Sequence, residues 1–140
     1  MFLSESDYAS VIEASKLSLL QQNDPAIRQR AEGYAMEEIA SYLRPRYDVT
    51  AIFAASGTAR NPLIVMYAID IALYTMTSWL PAKMGSELRK ERYDRAISFL
   101  VDVARGRTIP DLPTVTSGTG AVDAENPIRF GSETALKTSW

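Results

Sequence analysis

Arg89, Lys90, Arg92 and Arg95 form the densest group of recognition-capable side chains in this sequence. Such a run of cations could grip phosphate. Glu87, Glu91 and Asp94 are interleaved with them, however, so a solvated, salt-bridged helix face is the first expectation. A DNA contact, or a channel-facing or inter-subunit role, follows only if many copies surround one duplex and their weak fields add. Acid–base chemistry would have to draw on Glu37, Glu38 and Asp70. Glu37 and Glu38 are sequence neighbours and diverge on a helix, so they make no working pair. Ser117-Gly118-Thr119-Gly120 has the glycine content of a phosphate loop. No strand precedes it, no helix pattern follows, and no Lys-Ser/Thr completes it, which leaves a flexible linker. His and Cys are both absent. That removes thiolate nucleophiles, disulfides, Ser-His pairs and nearly every zinc or haem site. No catalytic, cofactor or metal site is expected.

The bulk properties agree. The chain has 140 residues, of which 46% are hydrophobic and 23% charged, enough for one ordinary domain plus an appendage. Fifteen basic residues against 17 acidic ones leave a net charge of -2, with no basic excess to hold phosphates tightly. The N-terminus is acidic, and no apolar signal region follows it.

The elements that must position these residues read as helices. Ser4 and Asp7 have the spacing of a capping box, with Leu3 and Tyr8 as a hydrophobic staple. They start a helix at Glu5 that turns Tyr8, Val11 and Ile12 inward, with a kink or a second short helix around residues 15–18. Asp24-Pro25 opens a second helix, N-cap before N1 proline. Ile27, Ala31, Tyr34, Ala35, Ile39 and Tyr42 make its inner face, with Arg28, Glu32, Glu37 and Glu38 outside, and Pro45 ends it near Arg44. Residues 48–60 read as a loop that packs Ile52 or Phe53. Asn61-Pro62 repeats the cap-and-proline signal, and residues 63–80 are apolar nearly all round. Asp70 lies mid-segment, where a bilayer would charge it about 3 kcal/mol, so a central core helix is expected rather than a membrane span. Asp70 needs a partner there. Arg44, Arg46 or an arginine of the last helix would supply it and form a structural polar core.

After a turn at 81–85, Ser86 can cap the last helix. Leu88, Tyr93, Ala96, Ile97, Leu100, Val101 and Ala104 form its stripe, and Gly106 closes it. The expected fold is all-α: a small bundle of about four helices over residues 1–108, with a long extended C-terminal arm over 109–140. The arm is rich in Pro, Gly, Ser and Thr and cannot bury enough apolar area to order alone. Ile128, Phe130, Leu136 and Trp140 are nevertheless spaced along it as large apolar anchors, as expected of an arm that orders against a partner.

Several short motifs recur in a fixed order. They are Ser41-Tyr42-Leu43-Arg44-Pro45-Arg46-Tyr47, then Asp70-Ile71-Ala72-Leu73-Tyr74, then Arg92-Tyr93-Asp94-Arg95-Ala96, and finally Val103-Ala104-Arg105-Gly106-Arg107. Over about residues 2–109 this resembles the Mu-type tailed-phage family of head–tail joining proteins; the stretch from Pro110 onward lies outside the resemblance. It implies a structural virion protein, an adaptor in a ring of about twelve copies under the portal, extending the DNA channel and linking capsid to tail. Implied partners are the portal protein, neighbouring copies and a downstream tail or stopper protein. DNA would be transient cargo only, with no membrane involved. The implied location is the virion neck, with host cytoplasm during assembly. Two other readings fit a small helical chain: a small-terminase-like DNA-recognition oligomer, or a peptide-binding helical module.

Overall fold

Asn61 and Pro62 start the helix around which the rest of the molecule is built. In the computed structural model, which describes residues 1–80 and 86–115, the Asn61 side chain accepts from the Leu63 and Ile64 amides at 2.9 and 3.2 Å. It thereby satisfies two of the donors a helix start leaves open, while Pro62 has none to satisfy. This helix, α4 (Pro62–Ser78), is buried at every position from Tyr67 to Leu73. It follows α1 (Ala14–Leu20), α2 (Pro25–Leu43) and α3 (Val49–Ala54) and precedes α5 (Ser86–Ala104). The long helices α2 and α5 clasp α4 and also touch each other. The described part is thus an all-α bundle, and none of its described helices is long and apolar enough to cross a membrane.

Local chemistry accounts for most boundaries. The Asp7 carboxylate accepts the Ser4 amide at 2.7 Å, and the Asp7 amide returns to the Ser4 carbonyl at 3.0 Å. Leu3 and Tyr8 are both buried beside it. Asp24 caps α2 through the Ala26 amide at 3.0 Å, and α2 stops at Leu43, two residues before Pro45. At the end of α5 the Arg107 amide reaches the Asp102 carbonyl and the Gly106 amide reaches Val103, the paired bonds of a Schellman turn. Gly106 has φ +80 there, and a Cβ would lie 2.8 Å from the exposed Arg46 guanidinium. Arg46 can swing away, but the left-handed strain stays. Gly106→Ala should cost about 1 kcal/mol, read as a lower urea midpoint at unchanged slope.

Four expectations are corrected. The first helix is a 3-10 helix, Glu5–Ser10, and α1 begins only at Ala14, so the break falls at residues 11–13. The segment 48–60 is not a loop. Asp48 accepts the Ala51 amide at 3.1 Å and caps α3, and a 3-10 turn, Gly57–Ala59, follows. On α2, Tyr34 is 57% exposed and Glu32 is buried, the reverse of the expected faces. On α5, Leu88 and Ala104 are exposed and Val103 is buried, so the inner row runs 89, 93, 96, 100, 103. Its first member is an arginine.

The chain beyond α5 stays in contact with the bundle as far as Val115. The Asp48 amide donates to the Pro113 carbonyl at 2.9 Å and the Val115 amide to Arg46 at 3.1 Å, around a single antiparallel bridge between Tyr47 and Thr114. The Asn61 side-chain amide donates to the Asp111 carbonyl at 3.1 Å, and Leu112 packs on the core. The expected turn at 81–85, the Ser86 cap, the Ser117–Gly120 linker and the four arm anchors lie outside the described residues.

Candidate functional site

The four basic residues of α5 do not form one solvated face. Lys90 does: it is exposed and pairs with Asp94 at 2.9 Å, one turn away. Arg95 is exposed, with its guanidinium 3.9 Å from the Met66 sulfur. Arg92 is partly covered and approaches the fully covered Asp70 carboxylate at 3.8 Å, close enough for an ion pair but too far for a hydrogen bond. Arg89 is 9% exposed, and its Nη1 has no hydrogen-bond partner among the described residues.

Asp70 therefore finds its partner on the last helix, and Arg44 and Arg46 are corrected out of the polar core. Pro45 terminates α2 and throws both arginines outward. Arg44 pairs with Glu37 at 2.9 Å on the surface, and Arg46 is exposed beside Gly106. Burial holds the Asp70 carboxyl above the ordinary range, while Arg92, Arg95 and Arg89 pull it back down. Burial, and then repulsion from Arg92, lowers the Arg89 guanidinium, with Asp70 opposing. Three cations around one carboxylate leave this corner of the bundle electropositive.

Two further polar contacts tie the helices together. The Tyr8 hydroxyl donates to Glu32 Oε1 at 2.8 Å, and Arg28 reaches the same oxygen at 3.2 Å. Burial raises the Glu32 carboxyl against both of those partners. The Tyr93 hydroxyl donates to Glu38 at 2.8 Å, with Tyr74 stacked on its ring at 4.4 Å. Glu37 and Glu38 thus serve different neighbours, as their adjacency in a helix requires. Among the described residues no three His, Cys, Asp or Glu side chains gather to hold a metal ion.

The interaction-capable surface lies partly where the helical periods predict core. A groove of about 550 Å³ opens between α1, the last turn of α4 and the first turn of α5. Val11, Ile12, Leu19, Leu20, Leu80 and Leu88 give it apolar walls, and Arg89 reaches it from within. Leu19 and Leu88 are 58% and 49% exposed. Nearby on the surface, Tyr34 and Trp79 meet edge to face at 6.0 Å. Leu88 and Tyr34 fit the helical periods of their segments, and that same fit hid them as core. The signal that separates them is the width of the stripe, which exceeds what two neighbouring helices can cover.

The family model described as bacteriophage Mu, Gp36 matches residues 3–126. That match extends past the bundle and takes in the segment held against α2 and α4, beyond the span of the resemblance read from motifs alone. Comparison with curated proteins and with solved structures produced no match.

Proposed function

We propose, from the premise that this chain belongs to the bacteriophage Mu Gp36 family and is a phage protein of the Mu type, that it is a structural head–tail adaptor. In this reading about twelve copies form a closed ring beneath the portal, extend the DNA channel and join capsid to tail. The observation that carries the reading is the family match over residues 3–126, because it covers all five described α-helices and the chain that leaves them. Physical chemistry supports it. Exposed Leu19, Tyr34, Trp79 and Leu88 give a small bundle apolar surface to bury in assembly. Fifteen basic against 17 acidic residues suit a wall past which DNA must slide without being held. Portal, neighbouring copies and a downstream tail or stopper protein are the proposed partners, and the virion neck is the proposed location.

Native mass spectrometry of the full chain with the portal from the same genome tests this. Near-symmetric, multi-copy loading is expected. Absence of loading, together with salt-sensitive binding to duplex DNA, would overturn it in favour of a DNA-recognition oligomer.

A further inference from the structure

The groove between α1, α4 and α5 has the chemistry of a peptide seat. Its walls are largely aliphatic, and Leu19 and Leu88 are half open to solvent. Two exposed charges of opposite sign, Glu13 and Lys16, also line it, whereas Arg89 is more than nine-tenths buried at the wall, with Nη1 unpartnered among the described residues. A buried donor without an acceptor is costly, and an incoming carboxylate relieves that cost with a charge-assisted hydrogen bond. The groove therefore selects an extended segment that carries large apolar side chains and an acidic one nearby.

The chain itself contains such a segment. Asp123-Ala124-Glu125-Asn126-Pro127-Ile128-Arg129-Phe130 sets two carboxylates just ahead of two large apolar residues, and Pro127 favours an extended backbone before it. Its reach is also suitable. The chain is held at Asp111 and Val115 beside the first turn of α4, whereas the groove lies at the last turn, beside Thr77 and Leu80. The 17 residues of α4 separate these two points by about 25 Å. From Val115 to Ile128 an extended chain spans about 43 Å. A donor site at one end of the helix and a receiving site at the other make a head-to-tail contact, the kind that propagates from copy to copy and closes into a ring.

We propose that the groove of each copy receives residues 123–130 of a neighbouring copy, Ile128 and Phe130 lying among Leu19, Leu80 and Leu88 and Glu125 meeting Arg89. The inference deepens the adaptor reading and rests on its ring.

The chain has no cysteine, so introduced thiols report cleanly. Full-length Leu19→Cys and full-length Phe130→Cys are mixed under mild oxidation, free and on the portal. A disulfide-linked pair is expected, formed faster than with Leu63→Cys, an exposed position at the first turn of α4. Adding Glu125→Gln to the Phe130→Cys chain should slow the cross-link several-fold while leaving the bundle untouched. A rate equal to the Leu63→Cys control overturns the proposal. So does a Leu19→Cys/Phe130→Cys double variant that closes only within one chain. Portal loading without the cross-link would sink this inference and leave the adaptor standing, whereas the cross-link without loading would do the reverse.

Discussion

Arg60→Ala should destabilise the protein by about 3 kcal/mol at pH 7, measured by urea unfolding of the full chain. Arg60 sits just before α4 and ties the N-terminal segment to it. Its two terminal nitrogens grip Asp7 at 2.8 and 3.1 Å, and Nη1 also reaches the Phe2 carbonyl at 2.7 Å. Nε donates to the Gly57 carbonyl at 2.9 Å, and the guanidinium lies 5.8 Å from the Phe2 ring centre. Arg60 and Asp7 are only 16% and 14% exposed, so solvent screens the pair weakly. The Arg60 hydrogen bonds first, opposed by burial and helped by the Ser4 amide and hydroxyl, hold the Asp7 carboxyl down at about 2, against 3.8 when free. That difference is worth about 2 kcal/mol with Arg60 its largest cause, and the lost carbonyl contacts add to it.

The pH dependence has a definite sign. A depressed carboxylate adds stability above its free value and loses it as pH falls through the folded one. The gap between wild type and Arg60→Ala should stay full above pH 5 and shrink by about 2 kcal/mol towards pH 2. A gap independent of pH would mean that Arg60 acts through the Phe2 and Gly57 carbonyls and not through Asp7. Glu32 works the other way. Burial raises its carboxyl, so its contribution is fullest in acid and declines as pH rises through the folded value.

Much of the bundle was legible in the sequence because local chemistry decides helix starts and stops. Asp24-Pro25, Asn61-Pro62, Ser4 with Asp7, and Gly106 each mark a boundary that backbone hydrogen bonds confirm. The stretch around Ile69 is the central helix for the reason its pattern gives: apart from Asp70 it is apolar nearly all round, so no face of it prefers water. The segment 48–60 misled because Val49, Thr50 and Ile52 have strand composition, yet six residues capped by Asp48 need only one covered side chain, Ile52, to hold a helical turn. Contacts between distant residues were less visible. Tyr8 with Glu32 lies 24 positions apart and Asp7 with Arg60 lies 53 apart, and a charge pattern along one helix says nothing about what stands across from it. Arg89 is the plainest case. Its sequence neighbours make it look like one of four surface cations, and only the opposite helix, which brings Asp70, explains why it is inside.

Replacing these two buried charges with aliphatic groups, Asp70→Leu together with Arg89→Met, should stabilise the full chain by about 2 kcal/mol in urea unfolding. Desolvation lies behind this expectation. Asp70 is fully covered, neither of its oxygens has a hydrogen-bond partner among the described residues, and its closest cation stands at 3.8 Å. The raised Asp70 carboxyl and the lowered Arg89 guanidinium say the same thing from both sides: each charge costs more to bury than the surrounding charges return. Asp70 therefore favours the fold most below pH 3.8, and that contribution fades as pH rises through its folded value. Arg95 is exposed and Arg92 keeps 35% of its side chain at the surface, so both retain a route to solvent when Asp70 is removed, although Arg92 Nε is buried without a partner among the described residues. A corner that weakens the fold fits a use in assembly, since stability is commonly traded for a working surface. The double variant should fold more tightly and, when it also carries Leu19→Cys, should cross-link more slowly to the Phe130→Cys chain because the groove lacks the Arg89 donor. Greater stability with undiminished cross-linking would separate the cluster from assembly. Lower stability would show that the arginine–carboxylate attraction exceeds its desolvation cost.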